Sequence, residues 1–119
     1  MSRSVLLQLA RDSIAEVFEA QRTINKVSLL DTHPLLNEKI PTTLNLYIDN
    51  ELRGTSNATD ANSLLENIIL NAKRAAFEDK EFSPLTTSEY LHCEIELHLT
   101  TPDGIISEKD PSILKLPPQ

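Results

Sequence analysis

Two short stretches hold side chains whose types and spacing could do chemistry. The first is Arg53-Gly54-Thr55-Ser56-Asn57, which carries one of only 2 glycines in the chain. A guanidinium can clamp a carboxylate with two parallel hydrogen bonds. The hydroxyls of Thr55 and Ser56 and the amide of Asn57 would then complete a polar rim for an anion or carboxylate ligand. On a regular strand Arg53 points opposite to Leu52, hence outward. A purely structural alternative stands beside this one: Arg53 pairs with a nearby glutamate, and Gly54 relieves crowding against an alanine-rich helix. Surface ion pairs are common and need no function.

The second stretch is His92, Glu94, Glu96 and His98, which period two places on one face of a strand. Imidazole and carboxylate suit a transition metal, but alternate strand residues lie about 6.6 Å apart. Only neighbours could share an ion, so the row reads as the solvated face of a half-exposed sheet, with no metal. Between them, Cys93 alternates with polar residues and reads as a buried, inert thiol. Tyr47 and Tyr90 read as aromatics covering a core edge. There is no phosphate-cradling glycine loop, no cysteine pair and no Ser-His-Asp spacing, so no cofactor is implied.

The elements that must position these groups are legible from periodicity. Ser4 can cap a helix from Val5 to about Gln21, with Leu6, Leu9, Ala10, Ser13 and Val17 near one face. The stretch from Arg22 to Pro41 is irregular and reads as a connection with one short turn at most. Leu44, Leu46 and Ile48 alternate with Thr43, Asn45 and Tyr47, as a half-buried strand should. Asp49-Asn50 makes a hairpin turn to a second strand from Glu51, where Gly54 marks a bulge or a close approach of another backbone. Asp60, or Ser63 with Glu66, caps a second amphipathic helix that ends near Phe77. A long connection through Pro84 leads to a strand over Leu91–Leu99, a turn at Thr101–Gly104 and a short returning strand. The expected fold is α+β: an antiparallel sheet packed against two main amphipathic helices in two layers. One domain over residues 1–107 and a proline-rich tail over 108–119 account for the chain.

Composition narrows the function. The 119 residues carry 18 acidic against 11 basic side chains, a net charge of -7. That field repels phosphate backbones and anionic membranes, and no basic stripe offsets it, so neither nucleic acid nor membrane is an expected partner. The single cysteine fits a reducing compartment, and the N-terminal stretch reads as an amphipathic helix rather than a signal peptide, which together suggest the cytoplasm.

Several of these pieces resemble one family. "LLQLARDSIAEVF" is similar to the first helix of the AMMECR-type domain, the A component of the AmmeMemoRadiSam system, and "LYIDNELRG" to its strand-turn-strand. "LLENIILNAKRAAFEDKEFSPLT" is the most specific match, resembling the family's long helix and the Asp...Phe-x-Pro-Leu-Thr loop after it. "CEIELHLTTP" resembles the next strand, so the likeness runs from Val5 to Pro102. Two departures stand out. After Leu-Arg-Gly the family has Cys-Ile-Gly, where this chain has Thr55-Ser56-Asn57. Any role of that thiol does not carry over, because a threonine hydroxyl without a paired base is a weak nucleophile. Family members also continue well past the length of this chain. Missing strands would bare apolar surface or a sheet edge, and self-association or pairing with another chain is expected from that.

The resemblance implies work beside a Memo-like protein and a radical SAM enzyme, which suggests partners and names no reaction. The expected function is a binding module for a protein or a small ligand, without catalysis of its own, meeting its target through Arg53, Gly54, Thr55, Ser56 and Asn57. The alternative is an enzyme whose site assembles at an oligomer interface around Arg53, with a carboxylate and a histidine.

Overall fold

The structure, a computed structural model, describes residues 5–20, 24–58, 63–101 and 103–110. Helix α1 (Val5–Glu19) is followed by a short helix α2 (Lys26–Thr32) and a 3-10 turn at Pro34–Asn37. Strands β1 (Thr42–Ile48) and β2 (Glu51–Ala58) form a hairpin. Helix α3 (Leu64–Phe77) and a short helix α4 (Thr87–His92) lead to β3 (Glu94–Thr101) and β4 (Gly104–Asp110). The strands pair antiparallel throughout in the order β2-β1-β3-β4. This is the expected α+β architecture, a sheet packed on α1 and α3.

The hairpin turn forms because Asp49 and Asn50 both take positive φ, 51° and 67°, which suits the right-handed twist of the strands they join. Ser63 caps α3, its hydroxyl accepting from the Glu66 backbone N–H. The other candidate cap, Asp60, lies outside the described residues, as do Ser4 and Gln21. Alternation on β1 and β3 sends Leu44, Leu46, Ile95, Leu97 and Leu99 to one face, where Ile14 of α1 and Leu64, Leu65, Ile68 and Ala72 of α3 cover them. Two buried amides tie α3 to the start of β1 and the segment just before it. Asn67 Nδ2 donates to the Ile40 carbonyl at 2.8 Å, and Asn71 Nδ2 to that of Thr42 at 3.2 Å. On the other side, buried Arg11 of α1 donates to the carbonyl of Cys93 at 2.8 Å and lies over the Tyr90 ring. Cys93 is fully buried, as its alternation suggests.

Three readings need correction. The connection before β1 contains α2, whose start Asn25 caps by accepting from the Ser28 N–H, and the 3-10 turn begins at Pro34. The connection through Pro84 contains α4, with a full capping box between Thr86 and Glu89. Consequently β3 begins at Glu94, and Leu91 and His92 belong to α4. The returning strand is longer than expected: β4 runs 7 residues, past Ser107 to Asp110. Among the described residues, no helix is long and apolar enough to cross a membrane.

Candidate functional site

With one face of the sheet under α1 and α3, no described element covers the other, and most of its side chains are polar. Thr43, Asn45 and Tyr47 of β1 face outward between their buried neighbours, as do Glu94, Glu96 and His98 of β3. Register aligns them: Asn45 lies opposite both Thr55 of β2 and Glu96 of β3, and His98 lies opposite Ser107 of β4.

These side chains are hydrogen-bonded to one another across the strands. Thr55 Oγ1 donates to Asn45 Oδ1 at 2.6 Å, and Asn45 Nδ2 donates to Glu96 Oε1 at 3.1 Å. The Tyr47 hydroxyl donates to the same oxygen at 3.1 Å, and His98 Nε2 lies 3.0 Å from it. His98 Nδ1 is 2.6 Å from Ser107 Oγ. The row Thr55–Asn45–Glu96–His98–Ser107 thus crosses the whole sheet. A second pair flanks it, Thr43 Oγ1 donating to Asn57 Oδ1 at 2.6 Å. The donors around Glu96, Asn45 foremost and then His98 and Tyr47, favour its ionised form and hold its pKa below the ordinary carboxylate value. Tyr47 moves the other way: burial and the adjacent Glu96 carboxylate raise its phenol above the usual value.

The five residues singled out from the sequence are consecutive but do not share a surface. A β-bulge between Leu46 and Tyr47 pairs Tyr47 with Leu52 and Leu46 with Gly54, leaving Arg53 as the extra residue. The bulge shifts the alternation, so the outward residue is Leu52, 43% exposed, and Arg53 turns toward α4 and the loop before it. Gly54 lies against α3, where a Cβ would collide with the Ala75 carbonyl oxygen. Ser56 also faces α3, donating to Asn71 Oδ1 at 2.7 Å. Thr55 and Asn57 lie on the open face. The backbone N–H of Thr55 also donates to Asp79 Oδ2 at 3.0 Å, tying β2 to the loop after α3.

Arg53 makes the two-pronged carboxylate contact its chemistry suggests, and the carboxylate is internal. Its Nε and Nη2 donate to the two oxygens of Glu89 at 2.9 and 3.0 Å, and Nη2 also donates to the Ser83 carbonyl at 2.8 Å. The Phe82 ring lies beneath the guanidinium, 5.5 Å away. Glu89 has its carboxyl lowered to about 2, chiefly by the Arg53 hydrogen bonds, against a smaller opposing effect of burial. The Arg53 side chain is 11% exposed.

With His92 in α4, where its Nδ1 is 2.8 Å from the Ser88 carbonyl, the histidine-glutamate row loses its first member. Among the described residues no three histidine, cysteine, aspartate or glutamate side chains converge as metal ligands. The open-face partners outside the Arg53–Asn57 set are Asn45, Glu96, His98 and Ser107. Glu96 and His98 belong to the second stretch singled out from the sequence, and for Asn45 its polar position on an alternating strand was the signal. Ser107 had none, because its strand looked too short to reach His98.

The AMMECR1 family profile matches residues 7–115. Among solved structures, the "Uncharacterized Protein PH0010" of Pyrococcus horikoshii superposes with a TM-score of 0.72 at 30% identity, over 82% of this chain and 50% of that one. The chain therefore spans about half the length of that neighbour. No curated protein matches the sequence. A long alanine-rich helix seated on a glycine of the Leu-Arg-Gly strand, with this match over nearly the whole chain, makes the protein a member of the AMMECR1 family.

Proposed function

We propose that this domain is a protein-binding module of the cytoplasm, without catalysis of its own, whose contact surface is the open polar face of its sheet. The observation that carries this is the side-chain row from Thr55 to Ser107. Its members are already hydrogen-bonded in place, so a partner docking there has little side-chain entropy to remove. Two described clefts, of about 240 and 300 Å³, lie away from this face, against α1, lined among others by Gln8 and Asn25 or by Glu16 and Lys73. A row of side chains spread across four strands suits a polypeptide better than a small molecule, whose sites are concave. In this account Thr55 and Asn57 meet the partner directly, while Arg53, Gly54 and Ser56 hold β2 in place from beneath.

Three partners are tested: a Memo-like protein and a radical SAM enzyme, both suggested by the family likeness, and a second copy of the chain. Self-association has its own support in the exposed Ile105 and Ile106 on edge strand β4, 70% and 52% exposed. Calorimetric titration and sedimentation measure each pairing. Replacing Thr55 and Asn57 together by lysine should weaken binding at least about tenfold, the ~1.4 kcal/mol of a lost central contact. Gln8→Lys, on α1, should leave it unchanged. Equal effects of the two changes, or no pairing with any of the three, would refute the assignment.

A further inference from the structure

The end of the open-face row at β4 pairs a hydroxyl with an imidazole. Ser107 Oγ lies 2.6 Å from His98 Nδ1, and the opposite ring nitrogen, Nε2, lies 3.0 Å from Glu96 Oε1. That arrangement places the protons. An ionised carboxylate can only accept, so Nε2 carries the hydrogen and directs it at Glu96. In the neutral ring Nδ1 then holds the lone pair, and the Ser107 hydroxyl donates to it. A hydroxyl bonded to an imidazole whose far nitrogen is held by a carboxylate has the connectivity that activates serine nucleophiles, here with the two ring nitrogens exchanged. The strand adds two neighbours on the same face. Ile105, two residues before Ser107, is 70% exposed. Lys109, two residues after, sets its Nζ 5.5 Å from the centre of the Tyr47 ring. Alternate positions are about 6.6 Å apart, so Ser107 has an exposed apolar side chain as its neighbour on one side, while the Lys109 ammonium reaches across to Tyr47.

We propose that Ser107 is an acyl-acceptor site, taking one acyl group from an activated ester with a short aliphatic acyl chain and a leaving group that departs as an anion. Oγ attacks the carbonyl carbon and forms the new C–O bond while its proton passes to His98 Nδ1. The imidazolium is held by Glu96. Collapse of the tetrahedral adduct breaks the bond to the leaving group, which departs with its electron pair and takes the proton from His98. The products are the Ser107 ester and the free leaving group, and nothing is oxidised or reduced. This is a modification of the chain, one group per molecule. It goes beyond the binding role and involves neither Thr55 nor Asn57.

The test is incubation of the full chain with p-nitrophenyl acetate, followed by peptide mapping. Acetyl should appear on Ser107 at least about 10²-fold faster than on Ser28, an exposed serine of α2 with no histidine partner, which is the range general-base assistance supplies. His98→Gln should remove that advantage while the circular dichroism spectrum is retained, and Ser107→Ala should remove the modified peptide. Acetyl on lysines alone, or Ser107 labelled equally fast in His98→Gln, would overturn the assignment. A chain that binds its partner through Thr55 and Asn57 yet leaves Ser107 unacetylated would lose this inference and keep the binding role.

Discussion

Gly54 shows what a single residue decides in this domain. Its missing side chain lets β2 rest directly on the backbone of α3, and any Cβ there would drive into the Ala75 carbonyl. Backbone cannot swing aside as a side-chain tip can. Gly54→Ala should therefore cost at least about 2 kcal/mol, toward the upper part of the overpacking range, measured by urea denaturation. Unchanged stability would mean that strand and helix are less closely seated. Arg53 offers a second residue-scale test. Because the folded-state pKa of Glu89 is depressed to about 2 from 4.5, its contribution to stability is fully present above pH 4.5 and is lost as the pH falls through 2. Glu89→Gln should lower stability at neutral pH and flatten the acid limb in that window. A limb as steep as in the parent chain would show that the ion pair contributes nothing there. The chemistry of both residues was legible in the sequence, and the direction of Arg53 was not. Strict alternation points it outward, whereas one extra residue at the bulge turns it inward. Period two cannot reveal a residue that breaks the period.

At the scale of elements, the helix α4 explains most of what the sequence hid. Thr86-Thr87-Ser88-Glu89 has the spacing of a capping box, and both of its reciprocal hydrogen bonds are formed. The signal was present, but Pro84 just before it and a span of 6 residues made the segment look like a loop. Short helices are held by their caps and their tertiary contacts far more than by propensity. Here Glu89 serves twice, as the cap partner of Thr86 and as the carboxylate for Arg53. Thr86→Ala should cost about 1 kcal/mol and should also loosen the Arg53 contact, so its effect and that of Arg53→Ala should be non-additive in a double-mutant cycle. Strict additivity would show that cap and ion pair are independent. The long elements were legible for the opposite reason: β1, α3 and the body of β3 each carry a sustained apolar period, and burial of that face decides their structure. Strand β4 has no such period, with Ile105 and Ile106 adjacent and both exposed, which is why its length could not be read.

At the scale of the whole molecule, the two faces of the sheet divide the work. The covered face carries the stability, through an aliphatic core shared by α1, α3, β1 and β3. The other face carries an internally bonded polar row that contributes little to that core and is the contact surface we propose. The overall net charge of -7 adds a condition on the partner: association should be faster with a surface of positive potential and should slow as salt is raised. Side-chain amides report directly on which face is used, since Asn45 and Asn57 lie on the open face whereas Asn67 and Asn71 are buried on the inner side of α3. The decisive measurement is therefore the NMR signals of these four amide groups while unlabelled Memo-like protein is added to the labelled domain. Shifted or broadened signals from Asn45 and Asn57, with Asn67 and Asn71 unmoved, are the predicted result. Binding that leaves Asn45 and Asn57 unmoved would contradict it.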